Sequence, residues 1–165
     1  MFLDDKTKIR LTAAEISALW MQYVNDTASI CINSHFLSKA EDDQVRPVIE
    51  FALESSKRNI SFLKNLFLAE GFPPPLGFTK EDVKPNAPKL FSDSYALMYL
   101  RNMSVLGMAS SSSAIGLSTR EDVISFFKSV LKSAVGLLDL TRELMLSQGN
   151  ILGRQCFQCQ TRLIL

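Results

Sequence analysis

The chain has 165 residues, enough for one ordinary domain that buries a full core without disulfides or metal. Its 18 basic and 17 acidic side chains leave a formal charge of +1, so no strong field draws it to nucleic acid or to an anionic membrane. Hydrophobic residues at 47% exclude global disorder, and no apolar run reaches the roughly 18 residues of a membrane span.

Residues 1–10 carry Asp4, Asp5, Lys6, Lys8 and Arg10 and no apolar stretch. They read as an N-terminal extension and not as a signal peptide, and the expected location as synthesised is the cytoplasm. A first helix is predicted from Thr12 to Ala40. Thr12-Ala13-Ala14-Glu15 forms a capping box, with Leu11 and Ile16 as a hydrophobic staple. Its expected inward line is Ile16, Trp20, Tyr23, Thr27, Ile30, Ser34 and Leu37. A second helix is predicted from Asp43 to Glu70, with Pro47 in its first turn and inward Val45, Ile49, Ala52, Ser56, Asn59, Leu63 and Leu66. Gly71 stops it, and Pro73, Pro74 and Pro75 forbid continuation.

Residues 72–90 form a long connection holding five of the six prolines and Gly77, with one short helical turn at Thr79 to Asp82. A link this long suits a crossover running the length of a bundle. A third helix spans Ser92 to Gly116, with the line Tyr95, Tyr99, Asn102, Leu106, Ala109, Ser113 and Gly116. Its Ala/Ser end, Ala109 to Ala114, is expected to be either tightly packed or frayed. A fourth helix spans Thr119 to Gln148 behind a second capping box, Ser118 to Glu121, with the line Val123, Phe127, Val130, Ala134, Leu137, Thr141 and Leu144. Residues 150–165 form a C-terminal tail without a clear period. A shift of 78 positions aligns the two halves, matching Gly71 with Gly149, Glu70 with Gln148, Leu66 with Leu144, Leu53 with Leu131 and Val45 with Val123. The expected fold is therefore all-α: a ferritin-like, up-down-down-up four-helix bundle over residues 11–149, with a Pro-rich crossover between helices 2 and 3.

Several chemistries lack their residues. Di-iron bundles need Glu-x-x-His on two helices, and this chain has one histidine, His35. Glu50 and Glu54 lie beside the apolar line and read as a solvated face. His35 reads as a hydrogen-bonded residue flanking the core before it reads as a pH-sensitive group or a metal ligand. Cys156-x-x-Cys159 lacks the βαβ setting of redox motifs and the further ligands of a zinc site; an accidental pair and a cross-link between chains remain as readings. No Gly-x-Ser-x-Gly, Gly-x-Gly-x-x-Gly or P-loop pattern occurs. No enzyme, metal or cofactor is expected.

One constellation remains. Thr27, Asn59, Asn102 and Thr141 fall on the inward lines of four different helices. They form either a hydrogen-bonded layer that fixes helix register, or, with Trp20, Tyr23 and Tyr99, the lining of a small-ligand pocket.

The segments Leu11 to Ile16 with Trp20 and Asn25-Asp26, Arg46 to Leu53, Glu70 to Pro73, Gly77 to Val83 and Asn86 to Asp93 resemble an uncharacterised domain family of endospore-forming bacteria, often labelled "putative spore coat" proteins. The resemblance covers Leu11 to Gly149. It implies a ferritin-like bundle, no established enzymatic activity, and a place in sporulation or the spore coat. Relatives of this type often pair two such domains, so a single copy implies a homodimer, with other spore coat proteins as further partners. They often carry histidine where this chain has Asn59, and their ending is proline-rich, unlike residues 151–165.

Overall fold

The computed structural model describes residues 9–84 and 86–149. Among them lie four α-helices, α1 (Ala13–Lys39), α2 (Arg46–Ala69), α3 (Asp93–Leu117) and α4 (Glu121–Ser147), one 3₁₀ turn (Lys80–Asp82), and no strand. The predicted N-terminal extension, apart from Ile9 and Arg10, and the tail with Cys156 and Cys159 lie outside the described residues.

The local signals account for most helix ends. At α1, the Thr12 hydroxyl accepts the Glu15 N–H at 3.2 Å, and the Glu15 carboxylate accepts the Thr12 N–H at 2.8 Å. Helix α2 starts at Arg46 rather than Asp43, after a turn in which Asp42 accepts the Gln44 N–H at 2.8 Å. Gly71, at φ 75°, ends it: the Phe72 N–H donates to the Phe67 carbonyl and the Gly71 N–H to that of Leu68, at 2.9 and 3.1 Å. The Ala/Ser stretch of α3 is continuous helix, with Ser111 and Ala114 buried.

The start of α4 departs from expectation. Its cap residue, Arg120, has no side-chain cap bond, and Ser118 turns its hydroxyl back to the Ala114 carbonyl. The Glu15 carboxylate does the capping from another helix, accepting the Thr119 and Arg120 N–H groups at 2.8 and 2.9 Å. Asp93, at the start of α3, does the same for the approach to α2, accepting the Glu41 and Asp42 N–H groups at 2.9 and 2.7 Å. Position 93 follows 15 by 78 residues, and 119 and 120 follow 41 and 42 by the same interval. The offset relates a second pair of contacts. Arg120 reaches Glu70 at 2.9 Å, and Gln148 donates to Asp42 at 2.8 Å. The N-termini of α1 and α4 thus meet at one end of the molecule, and those of α2 and α3 at the other.

All four helices contribute to each of two apolar clusters. One holds Phe36, Ile49, Leu97 and Met145, the other Leu19, Leu63, Phe67 and Phe127. Helices α2 and α4 bury the lines the sequence gives them, apart from a few flanking positions. Helices α1 and α3 are rotated from expectation. On α1 the buried residues are Glu15, Leu19, Asp26, Thr27, Asn33 and Phe36; on α3 they are Ala96, Leu97, Leu100, Ser104, Ser111 and Ala114. Both helices carry apolar residues on more than one face, so periodicity alone does not select the buried one.

The connection from α2 to α3 is anchored on α1. Thr27 accepts the Phe78 N–H at 3.1 Å, and the Cys31 thiol donates to the Thr79 carbonyl at 3.3 Å. Gly77 makes this approach possible, because a Cβ there would stand 2.5 Å from the Thr27 hydroxyl oxygen.

Burial alone would raise the Glu15 carboxyl, but the N–H groups of Thr12, Arg120 and Thr119 outweigh it and lower it from 4.5 to about 2. Its stabilising effect is complete above pH 4.5 and is lost as pH falls toward 2. Glu15→Gln is expected to cost about 3 kcal/mol at pH 7, or roughly 10 °C in Tm, and to flatten stability between pH 4.5 and 2, measured by circular dichroism melts. Gly77→Ala is expected to cost about 1–3 kcal/mol by the same measurement, through the clash with Thr27.

Candidate functional site

Polar side chains gather between the two apolar clusters, around a cavity of about 560 Å³. This is an ordinary volume for a small-molecule site. Helix α1 supplies Asp26, Ser29 and Asn33; α2 supplies Ser56 and Asn59; α3 supplies Tyr99, Leu100, Met103 and Ser104; α4 supplies Val130, Ser133, Ala134 and Leu137. Asn25 of α1 and Met103, Leu106 and Ser110 of α3 are exposed members of the lining and form its rim.

The polar wall is a connected chain. Gln22 donates to Asp26 at 2.8 Å, Asn33 donates to Ser29 at 2.9 Å, and the Ser29 and Ser56 hydroxyls bond one another at 3.0 Å. Asp26 is 5% exposed. Burial raises its carboxyl from 3.8 to about 6, against the opposing hydrogen bonds of Gln22, Ser56 and Asn59. The side-chain oxygen of Asn33, itself 1% exposed, has no hydrogen-bond partner among the described residues. A buried orphan acceptor is uncommon and points to a group that completes it.

Of the seven residues singled out in the sequence, Asn59 and Tyr99 line this cavity. Thr27 is buried but spends its hydroxyl on the Val24 carbonyl and the Phe78 N–H. Thr141 is fully buried and donates to its own helix, at the Leu137 and Leu138 carbonyls. Trp20 and Tyr23 lie edge-on to Phe67, Trp20 being 43% exposed. Asn102 is exposed, on the outer side of α3. The expected four-residue layer is thus replaced by Asp26, Ser29, Asn33, Ser56 and Asn59. The legible signal for Asp26 and Asn33 was the spacing Leu19, Asp26, Asn33, a stripe one position before the one headed by Trp20.

The two halves furnish the cavity unequally. The 78-residue offset pairs Asp26 with Ser104, Ser29 with Gly107, Ser56 with Ala134 and Asn59 with Leu137, all in the lining. The first hairpin brings the charge and amides; the second brings hydrocarbon and small side chains. Ser56 and Asn59 stand at the i, i+3 spacing where di-iron bundles place Glu and His. No group of three or more His, Cys, Asp or Glu side chains converges among the described residues.

A second cleft, of about 500 Å³, lies between α1, the connection and α3, lined by Phe36, Phe78, Phe91, Tyr95 and Tyr99 with Cys31 and His35. Burial, then the nearby Asp82 carboxylate, raise the Cys31 thiol above its ordinary value, so this is no activated nucleophile.

Because the folded state raises the Asp26 carboxyl, its cost to stability is absent below pH 3.8, grows between 3.8 and about 6, and is complete above that. Asp26→Asn is expected to stabilise the protein by up to about 3 kcal/mol at pH 7.5 and to make little difference near pH 3.5, read from denaturant titrations at both values.

Three solved structures share this arrangement of helices. A "putative spore coat protein" from Bacillus halodurans C-125 superposes with a TM-score of 0.77 at 19% identity, over 87% of this chain and 93% of that one. A conserved hypothetical protein from Mycobacterium tuberculosis gives 0.67 at 14% identity, over 81% and 98%. A DUF305 fragment from Deinococcus radiodurans gives 0.70 at 11% identity, over 87% and 100%. At these identities the likeness is one of fold. No curated protein matches the chain. The model of the family described as "Protein of unknown function (DUF3231)" matches residues 1–153, and the chain belongs to that family.

Proposed function

We propose that this chain is a non-enzymatic structural or interaction protein of sporulation or the spore coat, working as a homodimer through its helix faces. The frame we assign is the ferritin-like, up-down-down-up bundle, with the Pro-rich 72–90 segment as crossover. The pairing of N-termini by Glu15 and Asp93 supports that topology, as does the anchoring of the connection along α1. The spore context draws on the family resemblance and on the description of the Bacillus halodurans protein.

The observation that carries an interaction role is the outer face of α3. Tyr95, Met103, Leu106 and Leu117 lie on one side of the helix, the side that also borders the mouth of the cavity, and are 45%, 39%, 59% and 62% exposed. Ser110 and Ser113 lie between them and let another helix approach closely. Elsewhere on the surface Phe62 is 38% exposed and stacks on Phe126, whereas Phe67 is buried. A second reading, a small-molecule binding bundle, is favoured by the cavity around Asp26 and Asn33.

Sedimentation of the purified chain is expected to give a dimer, and Leu106→Glu a folded monomer. An unchanged dimer in the variant would remove α3 from the interface. The protein is expected in extracts of purified spores; full expression in vegetative cells with none in spores would end the spore reading.

A further inference from the structure

We propose that the central cavity binds a linear aliphatic amine, with its ammonium on the Asp26 carboxylate, a second hydrogen-bond donor on the side-chain oxygen of Asn33, and its hydrocarbon against α3 and α4. The inference rests on the second reading above and names its ligand class.

Asp26 is the one charged side chain among the described residues of the lining. Its bonds come from neutral groups, which soften the cost of burying the charge without neutralising it. A cation entering from solvent supplies what the protein leaves out. Asn33 adds an independent demand. Its amide nitrogen is used on Ser29, while its oxygen has no partner and can be satisfied only by a donor. The two residues stand on one face of α1, seven positions apart, so their backbones are about 10 Å apart along the axis. A bare metal ion cannot span that distance, and no cluster of three ligating side chains surrounds either acceptor among the described residues. A chain of about six carbons with a donor at each end spans it. The opposite wall, with Leu100, Met103, Val130 and Leu137, suits the methylenes, and the exposed rim between α1 and α3 provides entry.

The test uses the full chain at pH 7.5, isothermal titration calorimetry, and three probes: aminohexanol, hexylamine and hexanediol. Aminohexanol is expected to bind tightest, hexylamine about tenfold more weakly, and hexanediol undetectably. Asp26→Asn is expected to abolish binding of both amines. Asn33→Leu is expected to bring aminohexanol down to the level of hexylamine and to leave hexylamine unchanged. Ser104→Leu keeps both acceptors but fills cavity volume from α3, and is expected to weaken both amines. Melts without ligand establish that each variant is folded. No heat with millimolar amine, equal binding of aminohexanol and hexanediol, or undiminished binding by folded Asp26→Asn or Ser104→Leu would overturn the proposal. A thermal-shift screen of neutral and anionic compounds separates the two levels. A hit that Ser104→Leu loses, with amines silent, retains the cavity as a binding site and rejects the amine. Silence throughout rejects both.

Discussion

Two carboxylates, each at the start of one helix, hold backbone amides at or just ahead of the start of a helix in the opposite hairpin, and the remaining geometry depends on that exchange. Glu15 of the first hairpin holds the amides of Thr119 and Arg120; Asp93 of the second holds those of Glu41 and Asp42. Backbone N–H groups at a helix start are orphaned unless something accepts them, and a carboxylate also suits the positive end of the dipole. By supplying the acceptor from another helix, the chain converts a local cap into a tertiary contact with fixed distance and direction. Neither hairpin can rotate about its axis without losing bonds at both ends. The contacts of Arg120 with Glu70 and of Gln148 with Asp42 add a second tie at each end, under the same 78-residue offset. An internal repeat that looks weak as a sequence alignment is therefore strong as a pattern of contacts.

Fixed ends allow an imperfect middle. With the helices pinned beyond both apolar clusters, the central section need not pack to full density, and it does not. Two-turn spacing places Asp26 and Asn33 inward on α1, where hydrocarbon would make a more stable protein. The price is an ionisable group out of place, Asp26, where the equivalent position of the second hairpin is the neutral Ser104. A bundle selected only for rigidity has no use for that asymmetry. One wall that is polar and one that is apolar are what an amphiphilic guest requires.

Most of the fold was legible because helix periods, caps and stops are local. The Thr12 box, the stop at Gly71, the turn after Thr79 and the buried lines of α2 and α4 follow from nearest neighbours in the chain. The cap of α4 was not legible. Ser118 to Glu121 has the letters of a capping box, yet the acceptor comes from position 15, and nothing local announces it. The site was half legible. That polar residues share the middle of the core follows from their spacing, and Asn59 and Tyr99 line the cavity there. Asp26 and Asn33 were missed because Trp20, Tyr23 and Ile30 make a stripe of larger apolar residues one position away. Trp20 remains largely at the surface, packed edge-on against Phe67. On α3 the same ambiguity hid an outer apolar face, which reads as an inner one until the partner helices are known. Residues whose burial is decided by tertiary contacts cannot be sorted by periodicity when both candidate faces are apolar.

Native-state hydrogen exchange of the amides of Thr119, Arg120, Glu41 and Asp42 probes the reciprocal capping directly. If Glu15 and Asp93 hold the two hairpins together, all four exchange slowly in the folded protein, those of Thr119 and Arg120 only with the global opening that releases the cores of α2 and α4. Exchange of these amides at the rate of solvent-exposed peptide groups, while the helix cores stay protected, would contradict the account.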